Sequence, residues 1–230
     1  MENLFEVHNR LIGKKSQTII QTSKVTIIGV GGLGCTVAQN IVRLGVANVL
    51  LVDSDKIETS NLPRQILFNK NDVGNYKAEI AKQKLDAFSP KTKIKIEVDN
   101  FTYGNGKRLL SNSDVIIDCT DNYPSRYAIS KSSKELNIPM VYGGVKAFEG
   151  QVGVFNYKGS KSFHEAFPKI DNLMRNETCE ASGVLPFVVQ IIGAMQVAEF
   201  FKIRMEDESV LINSLLCVNT LTGTRRVLKL

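Results

Sequence analysis

Short runs of aliphatic residues alternate with more polar stretches along the first part of the chain. The runs VTIIG, from Val25 to Gly29, and VLLVD, from Val49 to Asp53, are typical of strands buried on both faces of a parallel sheet. Between them, from Leu33 to Leu44, apolar residues recur at helical spacing. This segment therefore predicts a βαβ unit.

The alternation continues further along the chain. We expect helices over about Lys77 to Phe88 and Pro124 to Leu136, and strands around Ile94 to Val98 and Val115 to Cys119. Strands that alternate with helices are typical of an α/β protein with a Rossmann-like, doubly wound and mostly parallel sheet.

The pattern changes after Pro139. The runs MVYGGV and QVGVF predict two strands joined by a short turn, so we expect the sheet to become mixed. Residues 157 to 182 are polar and weakly periodic, which predicts a long mobile loop. The stretch from Leu185 to Ile203 predicts an apolar helix, buried in the core or in a dimer interface. Two or three antiparallel strands are expected from Val210 to Leu230.

Charge and cysteine content narrow the functional classes. The net charge is +6, but Lys and Arg are scattered without an aromatic-interleaved basic run, so we expect no nucleic-acid partner. Part of this positive charge is suited to an anionic substrate such as a triphosphate. The four cysteines form no CxxC pair, which favours reduced thiols.

A glycine-rich turn follows the first strand. Gly29, Gly31 and Gly34 satisfy G-x-G-x-x-G between a strand and a helix, where backbone N–H groups can approach a phosphate. Asp53 ends the second strand, where a carboxylate can accept hydrogen bonds from ribose hydroxyls. These features predict an adenine-nucleotide site and leave both ATP and NAD open.

Polar and cationic residues follow the second strand, where a triphosphate would extend. Ser60, Asn61, Arg64 and Gln65 lie in one run, and a guanidinium such as that of Arg64 can hold two phosphate oxygens. Lys77 opens the next helix and supplies a second cation. Each cation taken alone could equally be a solvated surface residue.

The run Asp118-Cys119-Thr120-Asp121-Asn122 ends the next strand, and ligands of open parallel sheets bind beyond such strand ends. We expect Asp121 to face the phosphates and to hold Mg²⁺ together with phosphate oxygens and water. Asp118 could instead cap the turn or pair locally.

Several of these segments together resemble a known family. GVGGLG, LVDSD, SNLPRQ, the lysine of VGNYKAE, DCTDN and CEASGVLP are similar, in order and spacing, to the adenylation core of ThiF, MoeB and HesA proteins and of ubiquitin-activating enzymes. The resemblance runs from about Ser23 to Ile203. It implies that Gly32 and Asp53 contact adenosine, and that Ser60, Asn61, Arg64 and Lys77 contact phosphates. It also implies a metal or phosphate role for Asp121 and Asn122.

The resemblance implies a reaction as well. Arg64, Lys77 and Asp121 would be catalytic, and Asp55 would join the nucleotide site. The C-terminal glycine carboxylate of a small ubiquitin-like carrier with a Gly-Gly tail would be adenylylated by ATP with release of pyrophosphate. The leading substrate is a ThiS-like sulfur carrier of thiamine biosynthesis. The small subunit of molybdopterin synthase, as for MoeB, and a bacterial ubiquitin-like modifier are alternatives. A homodimer is also implied.

Some segments depart from the family pattern. Many relatives hold a structural zinc with two CxxC pairs, but the first pair would fall near Ser162 and Glu165 and the second is missing, so we expect no zinc. Arg10 is the candidate for an arginine that enters the partner subunit's site, or it is a surface arginine. Cys179 is a candidate for a covalent bond with the carrier, or it is an incidental loop cysteine.

Three other residues, two cysteines and a histidine, are not expected to take part in the reaction. We expect Cys35 and Cys119 to be buried and His164 to be solvated at the surface.

We expect a single domain, because 230 residues with 43% hydrophobic content can bury one core. No stretch approaches the roughly 20 apolar residues that span a bilayer, and the N-terminus lacks a secretory signal. A cytoplasmic protein without a membrane partner is therefore expected. The expected parts are an N-terminal arm or helix (1–22), a nucleotide-binding core (23–156), a mobile crossover loop (157–182) and a C-terminal helix with strands (183–230).

Two other functional classes are compatible with the same fold. An NAD-dependent oxidoreductase would need an acid or base placed for hydride transfer, and no persuasive His or Tyr-Lys constellation is present in the sequence. A non-catalytic scaffold would be expected to have lost the phosphate-facing residues, whereas Arg64, Lys77 and Asp121 are all retained.

Overall fold

A computed structural model describes residues 4–88, 91–168 and 183–230. Within these ranges the chain forms one eight-stranded sheet with helices on both faces. The strands are β1 Lys24–Ile28, β2 Asn48–Val52, β3 Lys93–Glu97, β4 Val115–Asp118, β5 Met140–Lys146, β6 Glu149–Phe155, β7 Ser214–Asn219 and β8 Arg225–Lys229. The helices are α1 Glu6–Thr22, α2 Gly32–Leu44, α3 Lys77–Asp86, α4 Tyr103–Leu110, α5 Tyr123–Leu136, α6 Phe163–Ala166 and α7 Pro186–Met205, with 3₁₀ turns at Thr59–Asn61 and Lys70–Asp72.

The parallel half of the sheet is doubly wound, which confirms the predicted Rossmann-like α/β class. The strand order is β3-β2-β1-β4-β5-β6-β7-β8, and each pair from β3 to β5 is parallel. The chain starts in the middle with β1, moves outward to β3 and then crosses back to β4. The order therefore reverses between β1 and β4, which is where ligands bind in open α/β sheets.

The other half of the sheet is antiparallel, which confirms the predicted mixed sheet. A hairpin joins β5 to β6, with Lys146 opposite Glu149, and β7 and β8 follow antiparallel. Strand β8 is the last strand of the sheet among the described residues, and all its residues are exposed.

The sheet separates two hydrophobic clusters. Ile27 and Ile117 belong to the cluster with α2, α3 and α7, whereas Ile28 and Ile116 belong to the cluster with α4 and α5. Neighbouring residues of a strand point to opposite faces, so a strand buried on both faces must be apolar without interruption. This is why the apolar runs in the sequence predicted these strands correctly.

Helix α4 was not predicted from the sequence. Its residues YGNGKRLL include two glycines, which weaken the apolar periodicity and the helix propensity. A capping box compensates at its start: the Thr102 hydroxyl accepts from the backbone N–H of Asn105, and the Asn105 side chain accepts from that of Thr102.

Helix α7 corrects one expectation, because its 20 residues are long and apolar enough, by length and composition, to cross a membrane. Half of its most apolar window is buried inside the protein, and it packs against α2, β5 and β6. Gly193 allows close approach to α2, since a Cβ there would lie 3.0 Å from Cβ of Thr36. This packing is that of a core helix.

The region predicted as a mobile crossover loop is partly regular. Residues Phe163–Ala166 form a short helix whose Ser162 cap donates its hydroxyl to Glu165 at 2.6 Å. Residues 169–182 of this region, which include Cys179, lie outside the described residues.

The turn between β1 and α2 generates a stability prediction. A Cβ on Gly34 would lie 2.0 Å from the backbone oxygen of Gly29, so the Gly34→Ala protein cannot keep this contact. We expect the free energy of unfolding in urea to fall by about 3 kcal/mol, the upper end of typical overpacking costs. Gly104→Ala is the matched control, because its Cβ would meet only Thr102 Oγ1 at 3.8 Å. Equal stability of the two variants would contradict the packing described.

Candidate functional site

A cleft of about 440 Å³ opens beyond the carboxyl ends of β1, β2 and β4. Most of the residues predicted to bind nucleotide line this single cleft. They are Gly29, Gly31, Gly32, Asp53, Asp55, Ser60, Asn61, Arg64, Gln65, Lys77, Asp121 and Asn122. The structure therefore brings together residues that lie up to 93 positions apart in the sequence, from Gly29 to Asn122.

The glycine-rich turn forms one wall of the cleft. Gly29 has a φ of 89°, and a Cβ there would lie 2.8 Å from the backbone oxygen of Cys119. Helix α2 starts at Gly32 without a side-chain cap, so the N–H groups of its first turn can bind an anion. Gly34 does not line the cleft, and its lack of a side chain serves helix packing instead.

Asp53 connects the end of β2 to the glycine turn. Its Oδ2 accepts from the backbone N–H of Val30 at 2.6 Å, and its Oδ1 accepts from that of Asp55 at 2.8 Å. Burial raises the pKa of this carboxyl, and Lys77 and the two backbone donors oppose the shift. Each carboxylate oxygen has a second lone pair, so Asp53 can accept a further hydrogen bond from a hydroxyl in the cleft.

Two of the cations that line the cleft, Lys77 and Arg64, come from different elements. Lys77 opens α3 and is only 7% exposed, and its Nζ lies 2.7 Å from Oδ2 of Asp55. A solvated surface role for Lys77 is therefore wrong. Arg64 is partly exposed and donates from Nη1 to the backbone oxygen of Ser60 at 2.8 Å. Both cations line the same cleft.

Asn61 and Gln65 are buried in the segment between β2 and α3. Asn61 Oδ1 accepts from the backbone N–H of Glu58 at 3.1 Å and closes a 3₁₀ turn. Gln65 is 2% exposed, and its Oε1 has no hydrogen-bond partner among the described residues. A buried polar atom without a partner beside a cleft indicates a place for a ligand or water.

The turn after β4 carries an exposed carboxylate, Asp121, into the cleft. The next residue, Asn122, caps α5 by accepting from the backbone N–H of Ser125 at 2.9 Å. Asp118 is fully buried and accepts from the N–H and hydroxyl of Thr120 at 2.9 and 2.6 Å. The local pairing considered for Asp118 is therefore confirmed.

Several residues that line the cleft were missed by the sequence analysis. Asn100 and Phe101 follow β3, so the rule that ligands bind at strand carboxyl ends could have found them. Arg126 lies one turn into α5, and Val184 and Val189 come from distant segments. Val184 lies within the CEASGVLP segment of the family resemblance, whereas no local sequence signal indicates Arg126 or Val189, which tertiary packing brings to the cleft.

Besides Gly34, the predicted residues Arg10 and Cys179 are not among those that line the cleft. Arg10 lies on α1, where its exposed side chain pairs with Glu6. It does not line the cleft of its own subunit, and its role in a partner subunit stays a prediction. Cys179 lies outside the described residues.

The burial predicted for Cys35 and Cys119 is confirmed, while the solvated surface position predicted for His164 is wrong. Burial raises the pKa of Cys35 to about 12 and that of Cys119 well above its usual value. His164 is half-buried rather than solvated, because its Nδ1 lies 2.9 Å from Ser130 Oγ and its ring packs on Tyr127.

The positions that the resemblance assigns to a first cysteine pair hold Ser162 and Glu165, which together form the cap of α6. In residues 4–88, 91–168 and 183–230, no group of three or more His, Cys, Asp or Glu side chains could hold a metal. The absence of a structural zinc remains a prediction for the whole chain.

Strand order and cleft together define a Rossmann-like α/β protein whose switch point gathers a glycine turn with cationic and carboxylate side chains. Residues 6–230 match the model of the ThiF family, so the chain belongs to the ThiF family.

Curated relatives carry adenylyltransferase names. The "Probable molybdopterin-synthase adenylyltransferase" of Porphyra purpurea is 37% identical over 209 residues, which cover 90% of this chain and 55% of that protein. The "Sulfur carrier protein adenylyltransferase" of Thermus thermophilus is 30% identical over 236 residues, which cover 99% of this chain and 87% of that protein. The chain thus spans little more than half the length of the Porphyra protein.

Among solved structures, E. coli MccB with ATP superposes with a TM-score of 0.83. It is 20% identical, and the match covers 100% of this chain and 72% of that one. At this identity the likeness shows the fold alone.

Asp53 generates a second stability prediction. In Asp53→Ala, the N–H groups of Val30 and Asp55 lose their acceptor, so we expect the free energy of unfolding to fall by about 1–3 kcal/mol. Chemical denaturation measures this change. Ser54→Ala removes a hydroxyl that, in the part of the chain that the structure describes, bonds only to Asn100, and this variant should stay within about 0.5 kcal/mol of the wild type. The description of Asp53 fails if its loss costs no more than that of Ser54.

The raised thiol pKa values generate a labelling prediction. Thiolate is the reactive form, and a pKa of about 12 leaves Cys35 almost entirely as thiol at pH 8. We expect iodoacetamide to leave Cys35 and Cys119 unmodified in the folded protein and to label both in urea, as measured by peptide mass spectrometry. Cys217, which is half-exposed, is the internal control. Rapid labelling of Cys35 without denaturant would contradict its burial.

Proposed function

We propose that this chain is an ATP-dependent adenylyltransferase that activates the C-terminal glycine carboxylate of a small ubiquitin-like sulfur carrier. One observation carries the proposal: Arg64, Lys77, Asp121 and Asp53 line the same cleft at the switch point of the sheet. The adenylyltransferase names of the relatives support the same reaction.

The nucleotide lies across the glycine turn. Asp53 accepts from the ribose hydroxyls with the lone pairs that the backbone donors leave free. The phosphates extend toward Arg64 and Lys77, with the first turn of α2 nearby. Lys77 is held by Asp55 at 2.7 Å, so its charge is already in place before the nucleotide binds.

The reaction joins two anions. An oxygen of the carrier carboxylate forms a bond with the α-phosphorus of ATP, and the bond from that phosphorus to the bridging oxygen breaks. The products are an acyl adenylate and pyrophosphate. The carboxylate is already ionised, so no general base is needed. The protein's tasks are to align the two reactants and to neutralise negative charge, for which Arg64 and Lys77 are suited.

The residues of the cleft also suit Mg²⁺. Asp121 offers an exposed carboxylate, a hard oxygen donor of the type this ion prefers, at the phosphate side of the cleft. When bound, the ion would neutralise charge on the phosphate oxygens. Asn122 is less suited, because its side-chain oxygen already caps α5.

The carrier itself is the finer part of the proposal. A ThiS-like carrier of thiamine biosynthesis with a Gly-Gly end is our first candidate, and the small subunit of molybdopterin synthase fits the names of the relatives equally well. We further propose a homodimer in which Arg10 enters the partner subunit's site.

Exchange of labelled pyrophosphate into ATP tests the reaction. We expect exchange that depends on the carrier, and Arg64→Ala should lower its rate about 100-fold or more, the usual effect of removing a donor that stabilises developing charge. Lys82→Ala is the control, because Lys82 pairs with Asp86 on the surface of α3 and lies outside the cleft. Normal exchange by Arg64→Ala would remove Arg64 from the mechanism.

The same assay distinguishes the carriers. Each candidate carrier is supplied with its Gly-Gly end and with that end removed. The substrate is the carrier that supports exchange when it is intact and does not support exchange when its Gly-Gly end is removed. Absence of exchange with every intact carrier, together with turnover of NAD, would replace the proposal by an oxidoreductase.

A further inference from the structure

Thr120 is held from two sides by a buried ion pair. The carboxylate of Asp118 accepts from the N–H and hydroxyl of Thr120 at 2.9 and 2.6 Å. The guanidinium of Arg126 donates from Nη2 to the backbone oxygen of Thr120 at 2.6 Å. The two charged groups approach each other to 3.6 Å, between Asp118 Oδ2 and Arg126 Nε. Every backbone polar group of Thr120 is therefore bonded to this pair.

The guanidinium also fixes the turn to the neighbouring strand. Its Nη2 donates to the backbone oxygen of Gly143 in β5 at 3.2 Å, and it lies 4.9 Å from the ring centre of Tyr142. The Tyr142 ring in turn packs on Phe155 and Phe163. The Thr120 carbonyl is thus held by a group that is itself anchored in the core.

Burying a charged pair to hold a turn costs desolvation free energy. Arg126 is 7% exposed and Asp118 is fully buried, and removing such groups from water often costs more than their attraction returns. Burial raises the pKa of Asp118, while Arg126 and Thr120 oppose that shift. A buried ion pair is weak evidence for a role in stability, so the geometry that the pair imposes is the better explanation for it.

That geometry concerns the next residue along the chain. Asp121 follows Thr120 directly and is exposed to the cleft, and within the described ranges its carboxylate receives a single contact, from Asn122 Nδ2 at 3.4 Å. With its own side chain so weakly held, the direction of Asp121 depends on the backbone before it. Asn122 fixes the backbone after it by capping α5.

We propose that Asp118 and Arg126 are positioning residues that hold Thr120 so that the Asp121 carboxylate faces the metal-bound phosphates of the nucleotide. This inference rests on the proposed function. It assigns to the buried pair a role in binding the metal–nucleotide complex, beyond a role in folding. Arg126 uses three nitrogens: Nη2 donates to the Thr120 and Gly143 carbonyls, Nη1 to the Tyr142 hydroxyl, and Nε faces Asp118. A lysine cannot replace Arg126 in this role, because its single ammonium cannot reach all these groups at once.

Calorimetric binding of ATP, with and without Mg²⁺, to Arg126→Lys tests the proposal. We expect ATP affinity in the presence of Mg²⁺ to fall at least about 10-fold, the effect of losing one charge-assisted hydrogen bond. Affinity for ATP without Mg²⁺ should stay within about 2-fold of the wild type, because Asp121 then has no metal to hold. A uniform loss in both conditions, or no loss in either, would overturn the proposal.

A double-mutant cycle with Asp121→Asn separates positioning from a general effect. If Arg126 acts through Asp121, Arg126→Lys should change Mg²⁺-dependent affinity by less than about 2-fold once Asp121 has been replaced. Additive losses would show that Arg126 acts by another route and would overturn the inference.

Glu199→Gln is the matched control for stability. Glu199 is 3% exposed, pairs with Lys202 at 2.5 Å and accepts from the N–H of Leu211 at 3.0 Å, away from the cleft. Glu199→Gln should lower the melting temperature without changing Mg²⁺-dependent affinity.

Thr120→Val is the second test variant, for use if Arg126→Lys does not fold, because it removes one hydrogen bond to Asp118. It should lower the Mg²⁺-dependent affinity in the same direction.

The outcomes also separate this inference from the proposed function. A wild-type protein that binds no ATP under either condition would remove both. A wild-type protein that binds ATP with Mg²⁺, together with an unchanged Arg126→Lys variant, would remove only the positioning role.

Discussion

The close contact between the first strand and the first sheet-packed helix is the constraint on which the rest of the site depends. Helix α2 can start where it does only because the backbone of Gly29 and that of Gly34 touch, with no room for a side chain between them. Gly29 also lies directly against the end of β4. The glycines therefore set the distance between β1, α2 and β4, and that distance creates the cleft.

Side chains then secure what the glycines permit. Asp53 bonds the glycine turn to the end of β2, and the Asp118–Arg126 pair bonds the turn after β4 to β5. Both carboxylates are buried and are occupied by backbone donors. Arg64 and Asp121 are more exposed and line the cleft. Buried charges thus shape the site, and the more exposed charges face whatever occupies it.

Much of the fold could be predicted from the sequence, because strands buried on both faces must be apolar throughout and the linking helices repeat every three to four residues. Helix α4 was missed because its glycines break that repeat and its start depends on a local cap. Helix α7 was predicted with nearly its observed bounds, but the expectation that no segment is long and apolar enough to span a bilayer was wrong, since a core helix and a spanning helix can share the same composition.

The candidate site could be predicted from the sequence where charged side chains follow the end of a strand. Asp53, Arg64 and Asp121 each lie after a strand, and all three line the cleft. Arg126 was missed because nothing near it in sequence distinguishes it from a surface arginine on a helix. Its burial arises from β5 and from Tyr142, which only the folded chain brings to it. The solvent exposure expected for His164 was wrong for a similar reason, since α5 covers its ring.

Strand β8 forms one of the two edges of the sheet, and among the described residues no strand pairs with its outer side. A free edge of this kind is a template for the strand of another molecule, and uncontrolled pairing leads to aggregation. Three of its five residues, Arg225, Arg226 and Lys229, are cationic and exposed. A second copy approaching edge to edge would bring these like charges together. Repulsion at this edge therefore favours solubility of the folded protein, even though Val227 and Leu228 are exposed beside it.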